Sequence, residues 1–171
     1  MLTMSSESPA SIDSLDHSDG VAAGSAGSGS HAGEASLHLR FLLPLLGFEH
    51  LFLYTIQRAQ KGPFHWLQST EDTKVGFCLL EPFQTHLDVD MEISIEDIAD
   101  LGAVTADEIT VLTMLVLDQD PTKIRTNLRA PILVCRRTGL AKQMVFTETK
   151  LPIQFYLKDL MHLAPNARRR T

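Results

Sequence analysis

Short apolar stretches separated by turn residues make up most of the chain after residue 36. Leu37, Leu39 and Phe41 alternate with polar residues, which predicts a half-buried strand. Further strands are predicted over residues 51–57, 64–69, 74–81, 109–117, 132–135, 142–148 and 153–157. Short strands at this spacing, with turn signals between them, are typical of a barrel or a sandwich. The sequence therefore predicts an all-β fold, a small antiparallel barrel-like domain.

Residues 87–93 alternate strictly between apolar and acidic side chains, so Asp88, Asp90 and Glu92 share one face. Like charges on one face are costly unless water or a cationic partner meets them. Both interpretations stay open, and the acidic row is the best electrostatic candidate for a docking face. Just after it, Ser94 can cap one short helix over residues 95–101.

The stretch T-N-L-R-A-P-I-L-V-C at residues 126–135 joins a polar turn to an apolar run. Pro131 has no backbone N–H for a strand ladder, so we expect it at the first residue of a strand or on an edge. Nothing in the stretch is nucleophilic or acidic. It is either an ordinary turn that leads into a core strand or a contact surface.

Composition divides the 171 residues into a tail and a domain. Residues 1–36 are a low-complexity segment with five acidic and no basic residues, which predicts a disordered tail. We expect the β domain over residues 37–157 and a C-terminal tail over residues 158–171. No apolar run is long enough to span a membrane, and no secretory signal opens the chain, so we expect a cytoplasmic protein.

Side chains suited to chemistry are scattered along the chain. Seven histidines and two cysteines show no metal-ligand spacing, and no nucleophile or phosphate-loop motif occurs. We expect no enzyme activity, no metal and no cofactor. Cys78 and Cys135 are expected to be small buried hydrophobes, although a disulfide between them stays open. Outside the acidic tail the charge is nearly balanced, which argues against direct nucleic-acid binding.

Three motifs occur in a recognisable order: L-G-F-E at residues 46–49, F-H-W-L-Q-S-T-E-D at residues 64–72, and N-L-R-A-P-I at residues 127–132. Together they resemble the bacterial flagellar assembly factor FliW family, over about residues 37–157. The resemblance implies a mainly structural role for a set of motif residues, with Trp66 in the core. These residues are Gly47, Phe48, Trp66, Leu67, Gln68, Ser69, Pro82, Leu128, Ala130, Pro131 and Gln143.

The resemblance also implies a function. FliW proteins are open, barrel-like β domains without enzyme activity that bind flagellin in the cytoplasm. They also bind CsrA, a small dimeric RNA-binding repressor of flagellin translation, so this chain is expected to act in flagellum biogenesis and translation regulation, with a chaperone role. The candidate partner-binding residues are Asp88, Asp90, Glu92, Glu71, Asp72 and Asn127.

A second hypothesis is a small β-barrel that binds an apolar ligand. The apolar runs at residues 51–56 and 109–117 motivate it. Small barrels are usually filled by their own side chains, which counts against this hypothesis.

Overall fold

A computed structural model describes residues 2–3, 36–85, 87, 90–147 and 149–162. Within these residues, ten strands and two short α-helices follow one another, with three single-turn 3-10 helices between them. The strands are β1 (Leu2–Thr3), β2 (Leu37–Phe41), β3 (Leu53–Arg58), β4 (Phe64–Ser69), β5 (Val75–Leu80), β6 (Ile109–Val116), β7 (Arg125–Thr126), β8 (Ile132–Cys135), β9 (Leu140–Gln143) and β10 (Phe155–Tyr156). The helices are α1 (Ile95–Ala99) and α2 (Lys158–His162).

Seven strands close into a barrel in the order β2-β3-β4-β5-β6-β8-β9. Pairing of Leu79 with Met114 and of Leu80 with Thr113 joins β5 to β6, so the barrel is closed rather than open. Strand direction cannot alternate all the way round a ring of seven. One neighbouring pair must therefore be parallel, and it is β2 with β9. The other pairs in the ring are antiparallel, as predicted.

The barrel interior is packed with its own side chains. Phe41, Tyr54 and Phe77 are each 1% exposed, and their rings contact one another. Leu67, Leu112 and Ile132 join the same cluster with no exposed surface. This packing leaves the apolar-ligand hypothesis without support from the interior.

Trp66 is not in this core, and the expectation that it would be is wrong. His65, Leu67 and Ser69 of β4 are buried, whereas Trp66 is half-buried. Side chains of a strand alternate between its two faces, so once Leu67 points inward, Trp66 must point outward. There it borders a surface depression with Thr55, Gln57 and Gln68.

A second apolar cluster lies on the outer face of β6 and β8, and α1 belongs to it. Ile98, Leu101, Leu133 and Cys135 are buried in this cluster. The Ser94 hydroxyl accepts the Asp97 backbone N–H at 3.1 Å, and the Asp97 carboxylate accepts the Ser94 N–H at 2.9 Å, which confirms the predicted cap.

The alternating residues just before α1 expose their acidic side chains to solvent, but they do not pair with a neighbouring strand. Met91 and Ile93 pack against the second cluster, while Asp90 and Glu92 are exposed. Asp88 lies outside the described residues. Residues 90–93 form no strand, because the outer face of the barrel holds them through side-chain packing instead of backbone pairing.

Smaller differences from the sequence predictions concern the ends of the chain and the cysteines. The predicted tail at residues 1–36 contains β1, which pairs with Val75 and Gly76 of β5, and its residues 1 and 4–35 lie outside the described residues. The predicted strand at 153–157 narrows to β10, and α2 follows it. Cys135 is buried and Cys78 is half-buried, and both are free thiols. No helix in the described ranges has the length and apolar character that crossing a membrane requires.

Candidate functional site

The loop at residues 127–131 holds the segment that follows β9. The Asn127 side-chain oxygen accepts the Arg129 backbone N–H at 2.9 Å, which fixes the turn. The Arg129 guanidinium then donates to the carbonyl oxygens of Leu151 and Thr149, at 3.3 and 3.4 Å. The Arg129 carbonyl accepts the Phe146 N–H at 2.9 Å. Asn127 therefore organises the loop, and its predicted role in partner binding stays a prediction.

Pro131 and Gln143 complete this attachment. Pro131 lies one residue before β8, where we expected the first residue of a strand or an edge, and its carbonyl accepts the Met144 N–H at 2.9 Å. The Gln143 side chain donates to the Ala130 carbonyl at 3.4 Å and accepts the Leu46 N–H at 3.2 Å. The motif residues thus connect the loop, the end of β9 and the turn after β2.

The L-G-F-E and F-H-W-L motifs supply a turn and core contacts. Gly47 adopts a φ of 86°, a left-handed conformation that favours glycine. Phe48 packs edge-to-face on Phe77, with 5.1 Å between ring centroids. Leu67, Pro82 and the loop residue Leu128 are all buried.

The turn between β4 and β5 is held by side chains of the second motif. The Gln68 amide donates to the carbonyl of Val75 at 2.8 Å. The Ser69 hydroxyl accepts the backbone N–H groups of Glu71 and Asp72, at 3.2 and 3.1 Å. These bonds pair the polar groups of a tight turn, so Gln68 and Ser69 hold its backbone in place.

Glu71 fastens this turn to the start of β3. Its carboxylate accepts the Phe52 and Leu53 N–H groups at 2.6 and 2.7 Å. The bonds from Leu53 and Phe52 lower the pKa of the Glu71 carboxyl. The Asp72 carboxylate accepts the Lys74 N–H at 2.9 Å. Glu71 and Asp72 thus already accept hydrogen bonds from the backbone of this chain, and their predicted role in partner binding stays a prediction.

A groove of about 620 Å³ lies beside the 127–131 loop, and we call it the acidic groove. Asp90 and Glu92 line it together with Lys150. The rest of its lining is Leu87, Leu128, Met144, Phe146, Thr149, Leu151, Pro152 and Phe155. The structure therefore brings two predicted acidic residues and the motif residue Leu128 to one concave surface, which Glu71 and Asp72 do not line.

The apolar wall of the acidic groove was missed by the sequence analysis. Met144 and Phe146 fall in the predicted strand at residues 142–148, but β9 ends at Gln143. Beyond Gln143, carbonyl oxygens of the 127–131 loop accept the backbone N–H groups of Met144 and Phe146 instead of a neighbouring strand. Because a strand was predicted over these residues, the sequence analysis did not identify the two side chains as part of a groove wall.

Comparison with known proteins decides the family. The sequence profile of the family described as FliW protein matches residues 26–157. The chain belongs to the FliW family. The FliW match begins inside the predicted tail and ends with the predicted domain. FliW is a family of flagellar assembly factors and not a family of enzymes.

Relatives described as flagellar assembly factor FliW are similar over most of the domain. The protein from Clostridium botulinum is 32% identical over 120 residues, which cover 70% of this chain and 85% of the relative. The protein from Caldicellulosiruptor bescii is 31% identical over 112 residues, covering 64% and 72%. A crystal structure of the flagellar assembly factor FliW superposes with a TM-score of 0.64 at 23% identity, over 70% of this chain and 84% of that one. That likeness supports the fold.

Proposed function

We propose that this FliW-family protein binds flagellin and the translational repressor CsrA in the cytoplasm. Free FliW captures CsrA, so flagellin translation proceeds. Accumulated flagellin occupies FliW and releases CsrA, so translation is repressed again. Binding to flagellin also gives the protein a chaperone role in flagellum biogenesis.

The acidic groove is the single observation that carries the proposal. Its wall is apolar, and the carboxylates of Asp90 and Glu92 are exposed at it. Apolar surface bordered by charge is the usual anatomy of a protein interface. An RNA-binding repressor presents basic surface, which the two carboxylates complement and steer during encounter.

The acidic groove is also held rigidly. The 127–131 loop bonds to Met144, Phe146, Leu151 and Pro152 through backbone and guanidinium contacts. A preformed surface loses little conformational entropy on binding, which favours affinity. Most motif residues thus support the proposed docking surface from behind, whereas Leu128 lines it.

Charge reversal in the acidic groove tests the proposal. We expect Asp90→Lys with Glu92→Lys to weaken CsrA binding at least about tenfold, because two attractive contacts become repulsive. Isothermal titration calorimetry with purified CsrA measures the affinity, and thermal melting should show an unchanged Tm. Asp107→Lys is the matched control, since Asp107 is an exposed carboxylate outside the groove.

Flagellin is tested separately by competition. Purified flagellin added to the CsrA complex should displace CsrA. If the wild-type chain binds neither protein at micromolar concentration, the proposed function is wrong. If both bind and the groove variant matches the Asp107 control, the docking surface lies elsewhere.

A further inference from the structure

One end of the barrel holds a second cavity, of about 360 Å³, and we call it the arginine pocket. Its lining is Leu37, Ile56, Arg58, His65, Thr110, Val134 and Arg136. It shares no lining residue with the acidic groove. Leu37, Ile56 and Val134 belong to the top of the barrel core, so the pocket has an apolar floor and a polar rim.

The closed barrel brings the two arginines to this end from different strands. Arg58 is the last residue of β3 and pairs with His65 of β4. Arg136 directly follows β8, and Thr110 of β6 pairs with Val134 of β8. Around the ring, β3 and β8 are separated by β2 and β9 on one side and by β4, β5 and β6 on the other. Arg58 and Arg136 therefore line one cavity from two strands that are not neighbours, and both side chains are exposed there.

Neighbouring oxygens orient both guanidinium groups without neutralising them. Arg58 donates from Nη2 to the side-chain oxygen of Gln84 at 2.6 Å. Arg136 donates from Nε to the Thr110 hydroxyl at 2.9 Å. A guanidinium has five N–H donors, so each keeps several for another acceptor. Within the described part of the chain, the ion pairs formed by carboxylates involve other cationic residues.

Among the residues that line the pocket, His65 lies close to a carboxylate. The Glu81 carboxylate lies 3.8 Å from His65 Nε2, and the two side chains are 14% and 4% exposed. Glu81 itself does not line the pocket, and the lining residues described there include no carboxylate. Two positively charged side chains thus line a cavity whose concave shape concentrates their field.

We propose that the arginine pocket binds a small phosphate-type oxyanion, as the free ion or as a phosphate monoester. Its oxygens accept N–H groups from Arg58 and Arg136, whose planar forks match phosphate geometry. At about 30 Å³ per water, the cavity has the volume of roughly a dozen water molecules, enough for phosphate and a small attached group.

Titration of the full chain with inorganic phosphate and with adenosine monophosphate tests the proposal. Sodium chloride keeps the ionic strength constant, and NMR of backbone amides locates the binding. We expect saturable shifts at Thr110, His65 and Arg136. Tighter binding of the monophosphate assigns the site to phosphate esters, whereas equal binding assigns it to the free ion.

Arginine variants identify the pocket as the origin of these shifts. Arg58→Gln and Arg136→Gln should each weaken binding about tenfold or more, because a charge-assisted contact is lost. Arg40→Gln is the matched control, since Arg40 is exposed on β2 and does not line the pocket. Arg58→Lys keeps the charge but loses the fork, so it should also weaken binding and serves if the glutamine variants fail to fold.

Two results overturn the proposal. One is the absence of saturable shifts in both titrations at constant ionic strength. The other is equal weakening by the Arg40 control, which would assign the effect to diffuse surface charge. Neither result bears on CsrA or flagellin, because the acidic groove uses other residues.

Discussion

At the scale of single residues, Tyr54 is the most unusual group in the barrel interior. Its side chain is 1% exposed, and its hydroxyl has no hydrogen-bond partner among the described residues. Burial, together with the nearby charge of Glu71, raises the pKa of the phenol to about 12. An unpaired buried hydroxyl costs about 1–3 kcal/mol of stability. Tyr54 therefore stabilises the fold through the packing of its ring, and its hydroxyl opposes this.

Tyr54→Phe should therefore leave the free energy of unfolding unchanged or raise it at neutral pH. The folded pKa lies above the unfolded one, so the neutral phenol favours folding, and this stability is lost as pH rises from about 10 to about 12. Urea unfolding at pH 7 and pH 11 measures both effects, and the variant should lose less stability at high pH. Tyr156→Phe, at a half-buried tyrosine, is the control. A clear loss of stability in Tyr54→Phe at pH 7 would show that the hydroxyl is paired.

Glu71 is the residue whose charge the fold uses most directly. Glu71→Gln should lower the Tm at neutral pH, because the N–H groups of Phe52 and Leu53 lose an anionic acceptor. Its folded pKa is below the ordinary 4.5, so the stabilisation is present above that pH and is lost as pH falls through the folded value.

Thermal melting of Glu71→Gln from pH 3 to pH 7 checks this dependence on charge. The gap in Tm between wild type and variant should narrow towards pH 3. Asp107→Asn removes an exposed carboxylate that makes no hydrogen bond within the described ranges, and it should show no such trend. A gap of constant size would mean that packing, and not charge, is responsible.

At the scale of elements, β4 shows how one alternation separates core from surface. Leu67→Ala should cost about 2–5 kcal/mol, as expected for a fully buried leucine. Trp66→Ala, one residue away on the outer face, should cost roughly 1 kcal/mol and leave the domain folded.

Urea unfolding followed by far-ultraviolet circular dichroism compares the two variants directly. Trp66 is the single tryptophan, so its fluorescence cannot report on its own replacement. A Trp66→Ala chain that fails to fold would indicate that Trp66 is a core residue, and it would contradict the outward orientation described above.

The predictable elements are those specified by local sequence. Alternation found β2, two apolar runs split by a polar turn found β4 and β5, Pro131 marked the start of β8, and Ser94 with Asp97 marked the start of α1. Two-residue strands such as β1 and β7 were missed, because so short a run shows no period. The sequence analysis also assigned the wrong face of β4 to the core. Alternation divides a strand into two faces, but it does not say which face points inward.

At the scale of the whole molecule, both cavities depend on contacts between distant parts of the chain. Asp90 and Glu92 were found from their charge pattern, but their apolar neighbours come from residues 144–155. Arg58 and Arg136 line one cavity because the sheet brings β3 and β8, which are distant along the chain, to within two strands of each other. Charge and period are visible along the sequence, whereas which residues share a cavity is a property of topology.

The parallel pairing of β2 with β9 has a consequence for synthesis. It joins Arg40 to Leu140 and Phe41 to Ala141. The first strand of the ring, β2, therefore cannot complete its pairing until β9 has been made. Contacts of such sequence separation slow folding, because a long loop must close before they form. A chain emerging from the ribosome keeps one side of β2 uncovered until nearly the whole domain has been made, and in that interval an unpaired edge is open to aggregation or to a folding helper.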